Sequence, residues 1–289
     1  MSTQLTSDVP APSSPARALL GWMETNQALL TLNGRRADVA ASEADRRLVS
    51  EMQRRVKERP DGFCQEGVVR PAPPALLPHV QSLKASAATA GLFMNGVDVA
   101  VVDLRQVVAI QPTVRVDHAR ERVANIDPAD VVALAREAIP TDAPAQVPVN
   151  YDESQKAWLC SSPNPNLRIL GPGVGQTPQG IPVVGFSIVL GPSVMNAARY
   201  RDRYLLLDGY HRAVGFLLRD ITHVPILVRE APSFEDLRLP GGMLPQDAFL
   251  GSRPPVLADY LDNEVAADVC LPVTQRTIVI TALEVNSGS

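Results

Sequence analysis

Within five residues, Asp208-Gly209-Tyr210-His211-Arg212 supplies an acid, a glycine, an imidazole and a guanidinium. Those types in that order suit phosphate chemistry. Glycine permits a tight turn, and the run that follows, 211–218 (HRAVGFLL), reads as an apolar helix. The amides of 209–212 then fan outward at a helix start, where unpaired N–H groups and the positive end of the dipole favour an anion. Arg212 adds a planar fork that matches phosphate oxygens. The positioning elements are legible on both sides: 204–207 (YLLL) reads as a strand, and 222–228 (THVPILV) returns as a second one. The result is a strand–turn–helix–strand unit near the core of an α/β region.

A second basic set lies upstream. In 117–123 (DHARERV), His118 and Arg122 stand four apart on one face of a helical turn. They could project over the same phosphates, or form a capped, solvated helix end. The next helix is expected over 129–138, with Asp127-Pro128 as its cap.

The hexapeptide 207–212 (LDGYHR), its apolar helix and 223–228 (HVPILV) resemble the signature of the ParB/sulfiredoxin-like superfamily. In that family a D/G-G-x-[HR]-R turn opens a helix and grips the phosphates of ATP or CTP. The resemblance covers about 97–230. Val102-Asp103-Leu104, Val107 and Gln111-Pro112 resemble the family's opening strand and Q-P box. An arginine close to that box helps with the nucleotide or with catalysis in the family. The nearest here is Arg115, two positions from the familiar Q-P-R. Sulfiredoxins carry a catalytic cysteine inside the turn, where this chain has Tyr210, and this counts against a reductase.

The resemblance implies an α+β fold with a mixed-sheet core, an N-terminal helical extension and a small C-terminal α/β extension. The expected division is a disordered tail over 1–15, a helical extension over 16–94, and a ParB-like domain over 95–230. That domain carries a Pro/Gly-rich insertion at 141–182, and a C-terminal helix plus hairpin follows over 231–289. For the site, it implies backbone amides from Gly209 and Tyr210, charge neutralisation by Arg212, and a nucleotide contact from Arg115; His118 and Arg122, by their spacing, are further candidate phosphate contacts. His211 would donate to a phosphate or shuttle a proton. Asp208 would cap the helix or hold Mg²⁺ through water. The plainer reading leaves Asp208 as a cap and His211 satisfied by backbone groups. ATP or CTP with Mg²⁺ are the candidate cofactors, and no residue cluster is assigned to a protein-bound metal.

The family hosts partition proteins, nucleases, a reductase and small-molecule kinases, so fold alone does not fix activity. Three functions follow: a nucleotide- or phosphate-binding protein with phosphoryl-transfer or hydrolase chemistry, a DNA-acting nuclease or regulator, and a degenerate scaffold for protein partners or self-assembly. Composition weighs on these. The 289 residues carry a net charge of −4, and the pI is about 5.6. With no helix-turn-helix pattern after the domain, this counts against DNA. Cys64, Cys160 and Cys270 lie far apart without metal-ligand spacing and read as reduced thiols. No leader or membrane span is seen, so a cytoplasmic protein is expected.

Outside the motif, helices are expected over 16–32 and 42–59, the latter capped by Ser42 with Asp45 three residues on. A hairpin turns at Arg201-Asp202, and its alternating Arg199, Arg201 and Arg203 read as a charged, solvent-facing edge. A short helix over 256–267 and strands over 269–273 and 276–285 would close the chain.

Overall fold

The computed structural model describes residues 12–61, 63, 65–94, 96–141, 147–164 and 166–282. In chain order the elements are β1 (Ser13–Ala18), α1 (Thr25–Leu32), α2 (Glu43–Glu58), β2 (Val69–Pro71), α3 (Leu77–Ala85), β3 (Asp98–Asp103), β4 (Thr113–Arg115), α4 (Val116–Val123), α5 (Val131–Ala138), β5 (Val149–Asp152), β6 (Ala157–Ser162), β7 (Leu167–Gln176), β8 (Pro182–Leu190), β9 (Asn196–Tyr200), β10 (Arg203–Asp208), α6 (Tyr210–Leu217), β11 (His223–Glu230), α7 (Gln246–Leu250), β12 (Ala267–Pro272) and β13 (Arg276–Thr281). The chain is α+β. It divides into two compact units. The first takes the described residues of 12–141 and 194–273, and the second those of 147–193 and 274–282.

The first unit is built on a mixed sheet of order β10-β9-β11-β3-β2. Only the β9–β11 pair is parallel; β9–β10, β11–β3 and β3–β2 are antiparallel. The apolar run of β11 fills its centre, with Val224, Ile226 and Leu227 buried. Pro225 is tolerated in this interior strand because β9 pairs with β11 only from Leu227 onward. Pro225 therefore faces β3 alone, at Val101. Between β9 and β11 the chain passes through β10 and α6, which is how the strand–turn–helix–strand unit enters the core.

A second sheet of order β12-β1-β4 shows where local patterning misleads. Residues 16–32 are not one helix: Ala16–Ala18 lie in β1, and α1 begins at Thr25. Helix-favouring Ala and Arg are overridden by pairing on both flanks, with β12 and with β4. Arg17 seals the arrangement, donating Nε to the Tyr260 carbonyl (2.7 Å) and Nη2 to the Ala266 carbonyl (3.1 Å). Of the expected tail, residues 1–11 lie outside the described residues, and 13–15 are strand. Residues 16–94 are no detached extension either, since β1 and β2 each join a sheet of this unit.

Other boundaries move for similar reasons. The capping box of Ser42 and Asp45 on α2 forms as read. Helix α5 is capped by Asp130, whose Oδ1 accepts from the Val132 and Ala133 amides, while Asp127 holds the preceding turn. Arg203 is not part of a solvent-facing edge. It is buried, and its Nη1 donates to the Phe249 and Gly251 carbonyls at 3.0 and 2.9 Å. The expected C-terminal hairpin does not form. β12 pairs with β1 in the first unit, and β13 pairs with β6 in the second; residues 283–285 lie outside the described residues. The helix expected over 256–267 is one 3₁₀ stretch, Leu257–Leu261.

The described part of the 141–182 insertion is strand rather than loop; residues 142–146 and 165 lie outside the described residues. β5 and β6 form a hairpin to which β13 adds, and β7 and β8 form a separate two-stranded ribbon. Among the described residues no helix is long and apolar enough to cross a membrane.

Helix α6 sits deep, with Tyr210 and Arg212–Leu217 buried. Its contact with α4 depends on Gly215, where an added Cβ would lie 2.2 Å from the Ala119 carbonyl oxygen. Intrinsic propensity favours alanine over glycine inside a helix by about 1 kcal/mol. Gly215→Ala is nevertheless expected to lower the unfolding free energy by about 1–3 kcal/mol, through backbone overlap. Urea denaturation checks the sign: stabilisation would mean that α4 and α6 are not this close.

Candidate functional site

Gly209 joins β10 to α6 at φ +95°. A Cβ there would meet Met195 Cγ at 2.4 Å and Cα at 2.9 Å, so the turn requires glycine on two counts. The Gly209 amide donates to its neighbour Asp208 Oδ1 at 2.6 Å. The Ala213 amide is the first to find its partner four residues back, at the Gly209 carbonyl. The amides of Tyr210 and His211 precede that bond, in the first turn of the helix.

Two of the four candidates that follow the acid turn inward. Tyr210 is buried, and its hydroxyl donates to the Leu206 carbonyl (2.6 Å) while accepting from the Ile110 amide (2.8 Å) and the Gln111 amide (3.3 Å). Burial pushes its phenol above the ordinary range. Its side chain thus ties α6 to the Gln111-Pro112 segment, which Tyr260 also holds through the Gln111 carbonyl. Arg212 is only 2% exposed. Its Nη1 donates to the Glu137 and Ala138 carbonyls at 2.8 and 3.1 Å, at the C-terminal end of α5. Burial lowers the guanidinium to about 10, so it stays charged at neutral pH. The fork expected to grip phosphate is engaged on a helix terminus.

The other candidates converge. The His211 ring stands 5.0 Å from that of His118, edge to face at 86°. Burial is the main cause holding His211 down at about 4, and the charges of His118, Arg115, Arg122 and Arg212 add to it. His118 is also lowered, first by burial and then by Arg122. Arg115, at the β4–α4 junction, donates Nη2 to the Pro272 carbonyl at 3.2 Å. Arg122 lies 3.9 Å from Glu137 Oε1. Helical spacing puts His118 and Arg122 on one side of α4, Arg115 stands just before its first turn, and Gly215 lets that helix approach α6. Four basic groups from two distant stretches of sequence face each other, with two imidazoles that are neutral at pH 7. An oxyanion between them would gain charge-assisted hydrogen bonds.

Glu137 is the member that sequence reasoning missed. Burial raises its carboxyl, while Arg212 and Arg122 pull it the other way. No spacing signal links it to Arg212, 75 residues on. Among the described residues no group of three or more His, Cys, Asp or Glu gathers to hold a metal. A cavity of about 680 Å³ beside Trp22, Glu24, Lys57 and Asp247 includes none of the candidate residues and mixes both signs of charge. Comparison with protein-family models, with curated proteins and with solved structures returns no match.

The position of His211 carries a pH dependence. Its folded value of about 4 lies below the ordinary 6.5, so the unfolded chain binds more protons between those limits. Stability is then expected to fall as pH drops from 6.5 toward 4, by on the order of 2 kcal/mol from this group. Denaturation midpoints across that range, compared with His211→Gln, check it: an equal slope in both proteins would contradict the placement.

Proposed function

We propose that this chain is a phosphate-binding protein of ParB/sulfiredoxin-like type. Arg115, His118, Arg122 and His211 hold the terminal phosphate of a nucleotide, ATP or CTP, against the first turn of α6. The single observation that supports this is the edge-to-face meeting of the His118 and His211 rings within reach of the Arg115 and Arg122 charges. The mixed sheet, with β10 feeding a glycine turn into α6, is compatible with the fold that the resemblance implies. Mg²⁺ would arrive on the nucleotide phosphates, because Asp208 is the one acid inside the motif and Mg²⁺ commonly takes only one or two protein carboxylates. A neutral His211 beside a phosphate can accept a proton, which suits phosphoryl transfer or hydrolysis. The net charge of −4 weighs against extended nucleic-acid binding.

One observation favours the scaffold reading. Among the described residues, eleven of the eighteen large hydrophobic side chains that stand exposed belong to the second unit. Six of them, Ile169, Leu170, Val174, Val183, Val184 and Phe186, lie on the β7–β8 ribbon. Exposure of that kind marks interaction surfaces.

Isothermal titration of ATP, CTP and GTP with Mg²⁺ tests the first reading. Because Arg212 caps α5, the informative variants are Arg115→Ala and Arg122→Ala. Micromolar binding of one nucleotide is expected, weakened roughly 10- to 100-fold in either variant as a charged hydrogen bond is lost. No heat with any nucleotide, alongside capture of a protein partner that ignores both variants, would favour the scaffold.

A further inference from the structure

Two imidazoles packed edge to face among arginines form an unusual receptor, because both are neutral while no anion is present. Every charged group around them bears on what an anion would do. From β4 and α4 come Arg115, Asp117, Glu121 and Arg122; from α6 and its turn, Arg212 and Asp208; from α5, Glu137. The 3₁₀ turns that also pack on α6 bring Arg105 and Asp259, which are paired with Asp103 and Arg59. Among the described residues, no hydrogen bond engages a ring nitrogen of His118 or His211, whereas His79 is bonded to the Ile139 carbonyl and His223 to Thr222.

An oxyanion seated here reverses the local field. It offsets the arginine charges that disfavour a protonated imidazole, and offers that imidazole an acceptor. The affinity for the anion and the affinity for the proton must then reinforce each other. The charge count also discriminates between ligands. A terminal phosphate carries about −1.5 to −2 at neutral pH, whereas a phosphodiester carries −1. Arg115, Arg122 and one protonated imidazole, less the Glu137 carboxylate beside Arg122, sum to about +2 and match the former.

Building on the phosphate reading above, we propose that the site takes a terminal phosphate group together with a proton, which the His118–His211 pair receives, and that it discriminates against phosphodiesters. His118 and His211 are thus specificity-determining residues. The ligand class is the phosphomonoester or nucleotide end, and the backbone of a nucleic acid is excluded.

The test titrates the full chain with three small probes: inorganic phosphate, sulfate as a dianion of fixed charge, and dimethyl phosphate as the diester. Each titration is run calorimetrically in two buffers of different ionisation heat. At pH 6.5 sulfate binding is expected to take up close to one proton. Its affinity should rise by up to tenfold per pH unit between pH 7.5 and 5.5. Dimethyl phosphate should bind at least tenfold more weakly than phosphate. His118→Gln, at an exposed position on α4, should abolish most of the uptake while leaving the fold intact. Uptake unchanged in both His118→Gln and His211→Gln would assign the proton to Glu137 and overturn the proposal. Binding of phosphate or sulfate with no uptake, or equal binding of the diester, would overturn it and leave the anion site standing. No binding of phosphate or sulfate would overturn both.

Discussion

The first unit turns on a buried cation. Arg212 sits almost without solvent, and a guanidinium in that position is costly unless its donors are met. The last carbonyls of α5 meet them, as Glu137 and Ala138 present oxygens where the helix dipole is negative, and the Ala138 carbonyl also accepts the Met195 amide. One bond set therefore satisfies a helix end and a desolvated charge together. It also fixes the distance from α5 to α6, two helices whose joining residues are separated by more than seventy positions in sequence.

Tyr210 performs a matching task on the other side. Its hydroxyl joins the end of β10 to the amides of Ile110 and Gln111, so the first turn of α6 is pinned from two directions. Between these anchored residues lies His211, which a helix must direct away from both neighbours. The pattern Tyr-His-Arg thus separates architecture from chemistry: the outer two hold the fold and the middle one faces the basic cluster. Gly209 and Gly215 complete the device. The first admits the backbone past Met195 and the second admits α4, and α4 brings His118 and Arg122 with it.

The sequence made part of this legible. The strands flanking the motif, the helix after it, and the capped helix at 43–58 follow from patterning that is local and periodic. Arg115, His118 and Arg122 could be nominated because residue type and helical spacing are visible without a fold. Other features depend on partners far away. Residues 13–18 are strand because β12 and β4 flank them, and nothing within that segment says so. The two final strands alternate like a hairpin, yet each pairs elsewhere. Whether an arginine meets phosphate or a helix end is decided by burial, which is why the role of Arg212 could not be read from its motif. Glu137 was invisible for the same reason.

The central claim is that anions collect between His118 and His211. The chain has only four histidines, so imidazole NMR resonances during a phosphate titration test it most directly. The account predicts that the signals of His118 and His211 move together and saturate, while those of His79 and His223 stay in place. A phosphate-independent spectrum, or shifts confined to His79 and His223, would contradict it.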